Sequence, residues 1–248
     1  MPASLNLDAP SLVSRIADSL RDQILTGQLE PGSKIRQDQY AEAFGVSRTP
    51  LREAFRLLEA EGWVQIRPRS GVEVSSFSPV KVQEILVMRL LLEPLAIRGA
   101  ALNHTPAQGE VVSRLFEQLA SHSKTEQGEA ENYDFANQEF HHALYGLDTE
   151  LPLEPIKETL RGYWERYSRY RRVYYWRAND SISHSNDEHR RILDAWVARD
   201  ADGAERELAR HILRAGWSLL GSLDGGGPAA NISPHLLEVA KRYDFDIA

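Results

Sequence analysis

The sequence predicts a mainly α-helical protein in two parts: an N-terminal winged helix-turn-helix followed by an all-α antiparallel helical bundle. Three observations predict it. Apolar residues recur at helical spacing along most of the 248 residues. The strand-like segments "WVQI" and "VEVSS" flank a single basic turn, "RPRSG". After Pro79 no strand signal competes with the helical one.

Residues 1–10 read as a flexible arm. Leu12, Ile16, Leu20 and Ile24 recur every four residues, the stripe of an amphipathic helix over Ser11–Thr26 that stops at Gly27. "LEPGSKI" reads as a turn, and Gln37–Phe44 as a short helix ending at Gly45. Ser47 is a good N-cap for the next helix, with Pro50 in the first turn, where backbone N–H groups lack partners anyway. That helix runs to Glu61 and Gly62, and the hairpin follows. The order helix, helix, helix, hairpin gives the first domain, residues 11–77. The second, residues 79–221, holds helices over Val80–Asn103, Pro106–Ser121, Ala130–Leu147, Glu154–Trp176, Ser183–Arg199 and Asp202–Leu220. Residues 222–248 read as a linker, centred on "DGGGPAANISP", and a short helix over Pro234–Tyr243.

Composition narrows the function. The formal net charge is -7 and there are no cysteines, which excludes disulfides and thiolate metal sites. The most apolar stretch, Ile85–Ala96, is broken by Arg89, Glu93 and Pro94, so no membrane span is expected. The start "MPASLNLDAP" lacks a basic and apolar leader, so the expected location is cytoplasmic. Positive charge is local. Between Lys34 and Gly71 seven basic residues face five acidic ones.

"SRTPLREAFR" concentrates that charge. With Arg48 at zero and about 100° per residue, Arg52 lies at about 40°, Arg56 at about 80° and Thr49 at about 100°. Leu51, Ala54, Phe55, Leu57 and Leu58 take the other half. A helix with one packing face and one guanidinium face, placed after a short helix and a tight turn, suits insertion of its N-terminal end into the major groove. Arginine's fork can bond O6 and N7 of guanine together. Arg67 and Arg69 at the hairpin tip can reach the flanking backbone or minor groove. The plain alternative is a solvated face with ion pairs along the helix, such as Glu59 against Arg52 or Arg56.

In the bundle, three histidines fall on apolar stripes. His189 shares a face with Ile192, Leu193 and Trp196; His211 with Leu208, Ile212 and Leu219; His141 with Leu144 and Tyr145, and with Asn137 one turn earlier. Three imidazoles and an oxygen donor can hold a divalent metal and leave positions open. The alternative is three core histidines, each satisfied by a hydrogen bond.

The segment "GQLEPGSKIRQDQYAEAFGVSRTPLREAFRLLEAEGWVQIRPRSGVEV" closely resembles the DNA-binding domain of GntR-family bacterial repressors. That resemblance implies operator contacts from Ser47, Arg48, Thr49 and Arg52. Many members carry a basic residue where this chain has Asp38, which leaves a phosphate contact there to Lys34, Arg36 or Gln39. "MRLLLEPLAIRGAA", "NQEFHHAL" and "EHRRILDAWVARDADGAERELARHI" resemble the FCD domain of the FadR subfamily. The resemblance implies zinc or nickel bound through His141, His189 and His211, with Asn137 where the family has aspartate. It also implies a small organic or sugar acid as effector and a homodimer on a palindromic operator in double-stranded DNA. Candidate effector contacts are Arg89, Tyr163, Tyr167 and Tyr170. An all-α metal-dependent hydrolase or lyase, and a regulator whose histidines bond an anion without metal, stay open as alternatives at this stage.

Overall fold

The computed structural model describes residues 11–68, 70–76, 78–122, 129–147, 154–177, 182–223 and 231–245. The expected arm 1–10, Arg69 at the hairpin tip and most of the expected linker lie outside the described residues. The chain divides into two units, residues 1–77 and 78–248.

The first unit holds α1 (Leu12–Leu25), β1 (Lys34–Ile35), α2 (Gln37–Ala43), α3 (Arg48–Ala60), β2 (Val64–Arg67) and β3 (Gly71–Val74). Helix α1 starts where Ser11 Oγ accepts from the Ser14 N–H at 3.1 Å, and it buries the expected stripe of Ile16, Leu20 and Ile24. Gly45 turns the chain between α2 and α3 at φ +63°, a left-handed value that glycine adopts without strain. Helix α3 packs against α1 and buries Leu51, Ala54, Phe55 and Leu58. Leu57, expected on that packing face, is 38% exposed because it falls at the rim of the stripe. The sheet is antiparallel in the order β1-β3-β2, with Ile35 opposite Val72 and Val64 opposite Val74. Strand β1 was not expected. Two residues are too short to show alternation, and their partner strand is distant in sequence.

Polar contacts fix this small unit. Arg21 on α1 bonds Asp18 and reaches Glu61 at the end of α3, at 2.8 Å. The Tyr40 hydroxyl donates to Gln23 Oε1 at 2.9 Å, tying α2 to α1. Glu59 accepts from the Ile66 N–H at 2.6 Å. It therefore anchors the start of the hairpin and is not the expected helical partner of Arg52 or Arg56.

The second unit is helical: α4 (Pro79–Asn103), α5 (Pro106–Ser121), α6 (Glu129–Leu144), α7 (Glu154–Arg177), α8 (Ile182–Val197), α9 (Ala201–Leu223) and α10 (Pro234–Lys241). Helix α5 begins in a capping box, with Thr105 and Gln108 each bonding the other's backbone N–H. Helix α6 ends at Leu144, three residues earlier than expected, because the chain turns through Gly146 at φ +64°. Helix α10 packs on α4, where the buried Gln83 side chain accepts from the Ser233 N–H at 2.6 Å and donates to the Asn231 carbonyl at 3.3 Å.

The longest helix contact pairs α4 with α9. Gly216 allows it, since a Cβ there would stand 2.6 Å from both methyl carbons of Leu86, which is itself 2% exposed. Gly216→Val should therefore overpack this contact and lower stability by about 1–3 kcal/mol. A fall in the urea midpoint of unfolding checks it, and an unchanged midpoint would mean that Leu86 has room to turn away.

Candidate nucleic-acid interface and metal centre

Two groups of residues stand out, one in each unit. In the first, the packing of Leu51, Ala54, Phe55 and Leu58 fixes the roll of α3 and leaves its opposite face to solvent. Ser47, Arg48, Thr49, Arg52 and Arg56 are all exposed there, as are Lys34 and Arg36 on the neighbouring β1 and turn, and Arg67 on the hairpin. Arg48 contacts Asp38 on α2 at 2.8 Å, but both side chains are about three-quarters exposed. Such a pair contributes about 0–1 kcal/mol and gives way readily to a stronger anion. Arg56 pairs with Glu53 at 2.9 Å and Arg67 with Glu73 at 3.2 Å. Arg52 has no ion-pair partner among the described residues. The arginine face is thus exposed to solvent, with Arg48, Arg56 and Arg67 held only in exposed pairs.

In the second unit, α6, α8 and α9 bring His141, His189 and His211 together. One ring nitrogen from each lies within 4.8 Å of the others, and all three residues are buried. Asn137, one turn before His141 on α6, is buried as well. Hydrogen bonds fix two of the rings. Tyr145 donates to Glu93 Oε2 at 2.5 Å, because a carboxylate only accepts. Its oxygen is left to accept from His141 Nδ1 at 3.0 Å. Glu188 Oε2 accepts from His211 Nδ1 at 2.7 Å, and Glu188 also bonds Arg214. In both histidines Nδ1 carries a proton, which leaves Nε2 as the ring nitrogen for a ligand bond.

His141 Nε2 and His189 Nε2 stand 3.1 Å apart. Two nitrogens bound to one ion at about 2.0–2.1 Å stand about 2.8–3.4 Å apart, from right-angle to tetrahedral geometry. Burial holds the His141 and His189 imidazoles well below their ordinary pKa, and the neighbouring imidazoles and the buried Arg171 push the same way. Both rings are therefore neutral at pH 7, the state a metal ligand needs. Burial alone would raise the Glu188 carboxyl. The His211 bond and then Arg214 outweigh it and hold Glu188 below its usual value. The donor set, its protonation and its spacing fit a divalent ion. His189 Nδ1 is buried without a hydrogen-bond partner.

The proposed effector contacts divide. Arg89 faces inward, 3% exposed, with its guanidinium 4.6 Å from the Trp164 ring centre and 4.2 Å from that of Tyr167. Its fork is bonded to Glu93 at 2.5 and 3.1 Å, so an internal carboxylate already meets its need for an anion. Tyr167 and Tyr170 are buried as expected. Tyr163 is only half-buried, with the Arg166 guanidinium 5.7 Å from its ring centre.

Residues 84–214 match the FCD domain, and residues 12–74 match the bacterial regulatory proteins of the gntR family. The chain belongs to the GntR family. The regulator YdhC of Bacillus subtilis is 29% identical over 196 residues, 78% of this chain and 84% of that one. A probable D-xylose utilization operon transcriptional repressor of Paenarthrobacter nicotinovorans is 28% identical over 210 residues, 84% of this chain and 89% of that one. The solved structure of Escherichia coli McbR/YncC superposes with a TM-score of 0.59 at 24% identity, covering 83% of this chain and 95% of that one. This GntR-family protein is a transcriptional regulator and not an enzyme. No described helix is long and apolar enough to cross a membrane.

Sequence reasoning missed much of what surrounds the histidines of this GntR-family regulator. Glu188, next to His189 on α8, bonds His211 on the next helix. Tyr145 and Glu93 orient His141. Arg171 and Asp134 form a second buried ion pair at 2.6 Å, with Ser168 donating to the same carboxylate. The signal for Arg171 was present, since Leu160, Trp164, Tyr167 and Arg171 share one helical stripe.

Proposed function

We propose that this chain is a ligand-responsive repressor of the FadR subfamily that acts in the cytoplasm as a homodimer on a palindromic operator. Ser47, Arg48, Thr49 and Arg52 read the major groove from the N-terminal end of α3. Lys34, Arg36, Arg56 and Arg67 add phosphate contacts around them. The repressor reading is supported by the named function of the Paenarthrobacter relative. The homodimer is supported by Leu91, Leu95 and Leu102, which leave an apolar stripe of α4 43–58% exposed.

The helical unit binds a divalent ion, zinc or nickel, through Asn137, His141, His189 and His211, and a small organic or sugar acid beside it. The observation that carries this reading is the convergence of three buried imidazole nitrogens within 4.8 Å. When bound, the ion supplies open coordination positions to an oxygen anion. Tyr145 and Glu188 hold the two imidazoles in the tautomer that presents Nε2 inward. Tyr167 and Tyr170 line the same helix on its buried side. The acid weakens operator binding to the extent that it prefers the conformation free of DNA.

The protein purified without chelator or tag-derived nickel should carry about one ion per chain, and added zinc should raise its melting temperature by mass action. Absence of bound ion together with no uptake on titration overturns the metal. A second reading, the metal-free one, draws on the His141–His189 contact, whose 3.1 Å spacing also suits a hydrogen bond between the two rings. It predicts the same response to acids with zinc present or absent.

A further inference from the structure

The charges around the histidines point to a conditional site, an inference that rests on the metal reading above. Asn137 carries no charge, and an imidazole that ligates a metal does so as a neutral donor. Each described carboxylate beside the cluster is already matched by an arginine: Glu93 by Arg89, Asp134 by Arg171 and Glu188 by Arg214. None of the three has negative charge to spare. A dication placed among His141, His189 and Asn137, which are 0–2% exposed, would sit with its charge uncompensated where burial makes that most costly. An aspartate at position 137 would remove most of that cost from within the chain. Asparagine keeps the oxygen donor and leaves the anion to come from solution.

We propose that Asn137 makes metal retention depend on an exogenous oxygen anion, so that ion and anion bind as one unit and neither binds well alone. The anion is small and carries oxygen donors, as a carboxylate or a phosphate does. The coupling is reciprocal: whatever factor the anion adds to the ion's affinity, the ion adds to the anion's. The helical unit then responds to the pair and not to metal supply alone.

The test is zinc affinity of the full-length chain, measured by competition with a chromophoric chelator in an amine buffer whose only added salt is sodium chloride, so that no oxygen anion is present at the start. Addition of acetate, or of inorganic phosphate in a separate arm, should tighten zinc binding by about 5–150-fold, the usual range of coupling between sites. The arm with the larger effect identifies the source of the anion. Asn137→Asp should bind zinc without either anion at least as tightly as the native chain does with it, and acetate should no longer help. Equal zinc affinity of the native chain with and without both anions overturns the proposal while leaving the metal reading intact. Failure of both the native chain and Asn137→Asp to bind zinc under every condition overturns the metal reading itself. If Asn137→Asp does not fold, the native titrations decide alone.

Discussion

Replacing Glu93 by alanine is expected to destabilise the helical unit by about 3–5 kcal/mol, the cost of leaving a buried charge without its partner. Arg89 and Glu93 are 3% and 0% exposed on one face of α4. Burial works against the Arg89 cation, and Glu93 more than offsets it, so the guanidinium is held above its ordinary pKa. Without Glu93 the charge remains inside, between Trp164 and Tyr167, with two aromatic faces but no carboxylate. Tyr145 loses its acceptor at the same time. Nothing then compels its oxygen to accept from His141, and the tautomer that presents Nε2 to the cluster is no longer enforced. Glu93→Ala should therefore lose zinc affinity as well as stability. The double variant Arg89→Met with Glu93→Leu should recover most of the stability, because a well-packed apolar pair often equals a buried ion pair. It should not recover the zinc affinity. Urea unfolding followed by tryptophan fluorescence checks the first half. A loss of under about 1 kcal/mol for Glu93→Ala would mean that water reaches Arg89, since exposed pairs contribute no more than that.

These two residues also show which parts of the molecule were legible in advance. Helical stripes depend on local spacing, so α1, α3 and the inward placement of His141, His189 and His211 could be read directly. Helix α5 was read to the residue because its ends are written in local chemistry, Thr105 and Pro106 at the start and His122 just past the end. Contacts between helices carry no such signature. Whether Arg89 binds Glu93 or a ligand depends on whether α7 closes over both. Nothing on α8 marks Glu188 as the partner of His211, which lies on α9. Strand β1 is two residues long, and its identity lies in Glu73 and Val72 opposite. Periodicity recovers each element's buried face but not which neighbour covers it, and the environment of the histidines is made almost entirely of such neighbours.

Arg52→Ala is expected to weaken binding to an operator selected from a random library by about 1–3 kcal/mol, or roughly 5–150-fold. Arg52 is the arginine of α3 with no ion-pair partner among the described residues, and it lies in the half of the helix that enters the groove first. Arg48→Ala should cost less, because Arg48 must first leave Asp38. Asp38→Asn should for the same reason tighten binding to any duplex, by releasing Arg48 and by removing an anion from the approaching face. Arg56 is committed to Glu53 and sits two turns into the helix. Its loss should act as loss of one phosphate contact does, reducing the slope of log affinity against log salt by about 1 without changing sequence preference. Fluorescence anisotropy on the selected operator and on a scrambled duplex, each at several salt concentrations, separates these cases. If Arg52→Ala weakens both duplexes equally, Arg52 is a phosphate contact and the base readout lies with Ser47, Arg48 and Thr49. If it weakens neither, the exposed face of α3 is only a solvated surface, and the duplex must approach this unit from another side.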